Sequence, residues 1–397
     1  MTHESSGAGQ SSVRAANLSL VLRTVCAAAV APSRADVAAT TGMARATAAR
    51  LADDLLTAGL LDEVERPPTA RRGRPATPLA PGSRFGALGL QVDAGLLVAR
   101  VLDLRGRVVA EQVADGDFVG SEPGPTLERL SDMAGRLLDG LPRQLRLVGA
   151  GLALPGIVDV ADGVLLRAPN LGWSDHRPGE VLARSLPADL VPELGNEADL
   201  AARTVAEAAP GRAGAHRDFL YLSGQIGIGG AAVLGGRVMS GSSGWAGEVG
   251  HVCVEPDGPT CRCGSTGCLE QYAGRDALLA AAGLPPGTAP VVLAGRAAEG
   301  DPAALHAVDT AARALGVALA GVLNVLDLPT VVLGGHLGEL GDLFCPRVQE
   351  HLTRRVLSAR WRRPIIATAA TAPGAGASGA ALRALDGVLT DPGRWVG

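Results

Sequence analysis

Three cysteines, Cys261, Cys263 and Cys268, crowd into one short stretch of a 397-residue chain that has only six, and His251 lies ten positions ahead of the first. Three thiolates and an imidazole complete a tetrahedral donor set for Zn2+ and leave no coordination position for a reactive water. The chain is therefore expected to close residues 251–268 into one loop around a structural ion. Gly264 and Gly267 supply the bends. Buried cysteines beside a core histidine are the simpler reading. It is disfavoured because the rest of the chain is cysteine-poor and a reduced cytosolic protein has little other use for such a cluster. Glu248 and Glu270 flank the loop, as solvated side chains or as acceptors for a polyhydroxylated ligand.

The run Gly244-Trp245-Ala246-Gly247-Glu248-Val249-Gly250-His251, followed by C-x-C-G-x-x-G-C-L-E, resembles the signature and zinc motif of the ROK family of bacterial sugar kinases and sugar-responsive regulators. That resemblance implies that Glu248, His251 and Glu270 touch sugar hydroxyls, His251 giving one ring nitrogen to zinc and the other to the ligand. It also makes Pro155–Asp159 and Pro169–Trp173 sugar-side loops, with Asn170 a hydroxyl ligand. Gly195-Asn196-Glu197-Ala198 resembles the segment where the kinases carry Asn-Asp, the Asp being the catalytic base. Asn196 and Glu197 thus join the sugar site. Glu197 keeps a carboxylate but moves its oxygens by on the order of 1 Å, a shift that can cost roughly a hundredfold in rate.

The nucleotide side departs further from the kinases, which open with Asp-x-Gly-Gly-Thr-Lys. Aligned on Asp103, the matching residues here begin at Gln91; shifted, they begin at Asp93. Neither register supplies the Thr or Lys. The second phosphate loop, Gly-Thr-Gly-Ile-Gly in the kinases, reads Gln225-Ile226-Gly227-Ile228-Gly229. Losing these phosphate and metal contacts removes the electrostatic stabilisation on which phosphoryl transfer depends. No catalytic residue is expected, with Glu197 a degenerate base position.

Residues 1–13 are expected to be a disordered tail and residues 14–81 a winged helix-turn-helix. Leu18, Leu22 and Val25 recur at helical spacing between Arg14 and Ala29. Ser33 with Asp36 three positions on reads as an N-cap opening a helix through Thr40, and Thr41-Gly42-Met43 as a tight turn. A third helix follows from Ala44 to Ala58, with Arg45, Thr47 and Arg50 near its start, and Gly59 stops it. Leu60 to Pro81 reads as strand, basic tip and strand, the tip holding Arg71, Arg72 and Arg74. Up to Arg84 there are ten arginines and seven acids, an excess of three positive charges in a chain whose formal net charge is -4. DNA binding must therefore be local. The segment from Ser33 to Leu61, with Gly73-Arg74-Pro75 after it, also resembles the winged module that fronts ROK regulators and is absent from the plain kinases.

Past a Pro-rich joint, residues 85–397 read as strands and helices in α/β order: three strands in GALGLQV, LLVARVLD and RVVAEQV, a helix at 125–141 and a strand at 147–154. A second half begins with strand 219–223 and contains a long helix at 303–326. The resemblance implies a bilobal, actin- and hexokinase-like (ribonuclease H-like) ROK domain. The expected protein is a sugar-responsive transcriptional regulator, with an ATP-dependent sugar kinase as the alternative. Its expected partners are operator DNA, a sugar or sugar derivative, and further copies of itself in a homodimer or homotetramer. The N-terminus lacks signal-peptide features and no uninterrupted apolar run is long enough to span a bilayer, so the expectation is a cytoplasmic protein without a membrane partner.

Overall fold

The computed structural model describes residues 5–65, 77–369 and 373–396, with side chains from Ser12 onward. The chain opens with α1 (Ser5–Ala27), α2 (Arg34–Thr41) and α3 (Arg45–Ala58). Helix α1 thus begins ahead of Arg14, and residues 5–13 extend it. Ser33 caps α2 through a reciprocal bond with Asp36, and Gly42, at φ 71°, makes the turn to α3. Gly59, at φ 79°, ends α3 by donating to the Leu55 and Leu56 carbonyls. Strands β1 (Leu61–Glu63) and β2 (Leu79–Pro81) then pair antiparallel as the stem of a wing. The predicted tip residues Arg71, Arg72 and Arg74 lie outside the described residues.

The first lobe is built on β3 (Phe85–Val92), β4 (Leu96–Asp103), β5 (Val108–Asp115), α4 (Pro123–Asp139) and β6 (Arg146–Leu154). A small sheet of β7 (Ile157–Asp159), β8 (Val164–Ala168) and β9 (Trp173–His176) follows, then α5 (Pro178–Leu182), β10 (Glu193–Asn196), α6 (Glu197–Ala206) and the hairpin of β11 (Glu207–Ala209) and β12 (Arg212–Ala213). The second lobe contains β13 (Phe219–Gly224), β14 (Ile228–Leu234), β15 (Arg237–Val238), α7 (Glu270–Ala273), α8 (Arg275–Ala281), α9 (Pro290–Ala298), α10 (Pro302–Leu326), β16 (Thr330–Gly334), α11 (Gly335–Glu339), α12 (Gly341–Arg355) and β17 (Ile365–Thr368). Helix α13 (Ala375–Thr390) then returns to the first lobe.

The two main sheets repeat one plan. Their strand orders, β5-β4-β3-β6-β10 and β15-β14-β13-β16-β17, each join an antiparallel meander to two parallel strands. Strands β3, β6, β10 and β13 end at or next to residues that line the cleft between lobes, where open α/β sheets bind ligands. Helix α10 is long and apolar enough by length and composition to cross a bilayer, contrary to the sequence reading, yet its inner face is buried against α12 and α8. Val308, Leu315 and Leu319 are fully covered, while Leu305 and Val322 are half-buried.

The N-terminal module is not set apart from the body. Leu18, Val21, Leu22 and Val25 of α1 share one apolar cluster with Phe85 and Leu102 of the first sheet and with Leu382, Leu385 and Leu389 of α13. Ser19 Oγ donates to the Leu389 carbonyl at 2.6 Å and Arg23 to Thr390 Oγ1 at 2.9 Å. Helix α13 can approach so closely because the facing surfaces are small: a Cβ at Gly89 would collide with the Ala377 carbonyl and one at Gly379 with the Leu200 carbonyl. The helix that touches the N-terminal module is therefore also packed on α6, whose first turn lies in the cleft.

Candidate effector pocket and metal cluster

The six residues expected around a sugar, Asn170, Asn196, Glu197, Glu248, His251 and Glu270, line one pocket between the lobes. Asn196 ends β10 and caps α6: its Oδ1 accepts from the Ala198 and Asp199 N–H groups at 2.8 and 3.1 Å, and its Nδ2 donates to the Gly156 carbonyl at 2.9 Å. Only one amide hydrogen of Asn196 is left for a ligand. Glu270 is buried and its Oε2 accepts from the Ile228 N–H at 3.1 Å. A Cβ at Gly227 would overlap Glu270 Oε2 and crowd Asn170 Nδ2, so glycine there lets both side chains hold their places in the pocket wall.

Two residues at the pocket floor were not singled out as ligands from sequence: Asp93 and Ser223. Ser223 closes β13 and donates to Glu197 Oε2 at 2.7 Å. Glu197 is buried, and burial together with the neighbouring Asp93 carboxylate pushes its pKa up to about 8. Asp93 is itself only 4% exposed; its Oδ1 accepts from the Ala94 N–H at 2.6 Å and its Oδ2 has no partner among the described residues. Burial raises the Asp93 pKa while Arg275 opposes that rise. Two like charges in one dry floor cannot both ionise at modest cost, so the pair is built to retain a proton. The signal for Asp93 was the β3–β4 turn, where a carboxylate follows an apolar strand.

The structure also decides between the two nucleotide-side registers. Gln91 points away from the pocket, its Oε1 accepting from the Ala377 N–H of α13 at 3.0 Å, so the register beginning at Asp93 is the one that reaches the cleft. Ile226, in the place of a phosphate-loop hydroxyl, packs against the apolar cluster of the first lobe.

Beside Glu270, the ligand atoms of His251, Cys261, Cys263 and Cys268 all lie within 4.8 Å of one another. Cys263 and Cys268 Sγ are 3.7 Å apart and Cys261 Sγ is 3.8 Å from His251 Nδ1. Zinc–sulfur bonds of about 2.3 Å place the edge of a tetrahedron at about 3.8 Å, so the donors are spaced to take such an ion. The opposite ring nitrogen, His251 Nε2, lies 3.8 Å from Glu248 Oε2, on the pocket side. The ring therefore links the cluster to the pocket wall. In the N-terminal module, Arg45 and Arg50 are exposed on α3 and Thr47 is half-buried.

The ROK family model matches residues 91–386, and the chain belongs to the ROK family. Its similarity to regulators extends further along the chain. It is 26% identical to the xylose repressor of Caldicellulosiruptor bescii over 363 residues, which cover 87% of this chain and 89% of the relative. A crystal structure of a ROK family transcriptional regulator, homolog of the E. coli MLC protein, matches with a TM-score of 0.75 at 23% identity, covering 96% of this chain and 97% of that one. A ROK family glucokinase from Streptomyces griseus, in complex with glucose and AMPPNP, matches with a TM-score of 0.61 at 26% identity; 98% of the kinase falls on 75% of this chain.

Proposed function

We propose that this chain is a sugar-responsive DNA-binding transcriptional regulator, a repressor of carbohydrate metabolism, in which a sugar or sugar derivative enters the cleft and α3 enters the major groove. The observation that carries the reading is the shared core: the helix-turn-helix and the lobe that forms half the pocket are packed through α1 and α13. On this reading Glu248, His251, Glu270 and Asn170 bind hydroxyls, Asn196 adds one donor, and Asp93, Glu197 and Ser223 close the floor. His251, Cys261, Cys263 and Cys268 would hold Zn2+, which when bound clamps the loop and fixes the imidazole that faces Glu248. Arg45, Thr47 and Arg50 would meet DNA at α3, whose N-terminus carries no side-chain cap. The wing arginines Arg71, Arg72 and Arg74 would follow the phosphates. A homodimer or homotetramer would read paired half-sites. Operator titrations with and without a panel of sugars test this, and operator affinity indifferent to every sugar bound would defeat it.

One observation favours the alternative, an ATP-dependent sugar kinase: the Glu197 carboxyl lines the same pocket as the expected hydroxyl ligands, in the segment where the kinases carry their base. Against it stand Ile226 in the phosphate loop and the missing Thr and Lys after Asp93. An assay for ADP release with common hexoses, ATP and Mg2+ separates the two; turnover of about 1 per second or faster would establish the kinase.

A further inference from the structure

The pocket interior is acidic. Asp93, Glu197, Glu248 and Glu270 all line it, and like charges there disfavour a ligand that carries negative charge deep into the cleft. The exposed side chains just outside the lining residues are basic. Arg262, held between two of the cluster cysteines, extends from the second lobe and donates to Asn170 Oδ1 in the first at 3.4 Å. Arg167 of β8 reaches back across the same gap to the Cys263 carbonyl at 3.5 Å. Both guanidiniums are exposed, and both bonds are long and made to neutral acceptors.

Among the described residues, neither arginine has a carboxylate within ion-pair distance. Two uncompensated guanidiniums therefore stand next to the pocket, Arg262 against Asn170 of its wall and Arg167 against the cysteine loop beside it. A guanidinium fork matches the oxygens of a phosphate or carboxylate and binds them more strongly than it binds an amide oxygen.

Resting on the reading of this pocket as the effector site, we propose that the effector is an anionic sugar whose phosphate ester or carboxylate is held at the mouth by Arg262 and Arg167. The neutral ring enters the acidic interior and the charged substituent stays at the rim. Arg262 is positioned by the cysteine loop on one side of the gap and Arg167 by β8 on the other, so one anion bridges both lobes. Closure of the cleft is then favoured by the charged substituent as well as by the ring.

The test is calorimetric titration of the full-length protein with paired probes: glucose, xylose and N-acetylglucosamine, their phosphate esters, and gluconate and glucuronate for the carboxylate arm. At least one anionic probe should bind about tenfold or more tightly than its neutral parent, and the gap should narrow as salt rises from about 0.05 to about 0.5 M. Arg262→Gln and Arg167→Gln should each remove most of that gap, and Arg167→Gln, which touches no residue assigned to the ring, should leave the neutral parent's affinity unchanged. Both positions are exposed, and unchanged metal content and melting temperature would show the loop intact. A neutral parent that binds as tightly as its anionic forms would overturn this inference while leaving the pocket's role standing. Binding of neither kind would overturn both.

Discussion

Replacing Glu197 by Gln tests the floor of the pocket directly. The carboxyl is buried, accepts from Ser223 and faces Asp93, and its pKa is pushed from the ordinary value of 4.5 to about 8, first by burial and then by Asp93. Because the folded value lies above the unfolded one, the native state holds a proton that the unfolded chain releases between about pH 4.5 and 8. Stability from this group is present in full below that window and lost as pH rises through it. At about 1.4 kcal/mol per pH unit, the rise sets a ceiling of about 5 kcal/mol, shared with Asp93 because the two titrate as a pair. Gln keeps the shape and an acceptor for Ser223 but cannot ionise. Urea unfolding of both proteins at pH 5, 6.5 and 8 should show a gap that opens with pH, the variant being more stable at pH 8 by about 2 to 5 kcal/mol. Parallel profiles would refute the argument, since they would mean Glu197 is solvated or paired with a cation.

Three further outcomes are expected. Protein purified without chelators should contain about one zinc per chain by elemental analysis, and Cys263→Ser should lower that content and loosen the pocket loop; metal-free protein with an unchanged melting temperature would contradict the cluster's role. Arg50→Ala should weaken binding to the cognate operator by about 1 to 3 kcal/mol more than binding to random DNA in gel-shift titrations, and equal losses would reassign Arg50 to the phosphates. Leu22→Ala, at a fully buried position of α1, should cost about 2 to 5 kcal/mol and speed hydrogen exchange in α13 as well as in the module; exchange confined to the module would contradict the shared core.

Local rules carried much of this structure. The Ser33–Asp36 capping box, the Gly42 turn and the Gly59 stop are set by residues three or four apart, and the helices form where those residues stand. The cysteine cluster was equally legible, because ligand type and spacing are written in one short segment. What was not legible depends on contacts between distant segments. Asn196 reads as a hydroxyl ligand but is largely spent capping α6, since a cap is recognised only once the helix start is known. Gln91 and Asp93 could not be ranked until α13, nearly three hundred residues later, was seen to occupy Gln91. In the sequence, a Pro-rich joint marks the passage from the N-terminal module to the body. Leu18, Leu22 and Val25 of α1 instead share a cluster with Leu382, Leu385 and Leu389 of α13, a partner at the far end of the sequence that no local pattern links to α1.

The most direct measurement is an operator titration with and without the cognate sugar, in the natural protein and in Glu248→Ala. A sugar that prefers one arrangement of the lobes should change operator affinity by roughly 5- to 150-fold, the ordinary range of coupling between two sites. Glu248 lines the pocket and lies far along the chain from α3, so its replacement should abolish that response and leave sugar-free operator binding nearly unchanged. A response that persists undiminished in Glu248→Ala would place the effector elsewhere and contradict the account.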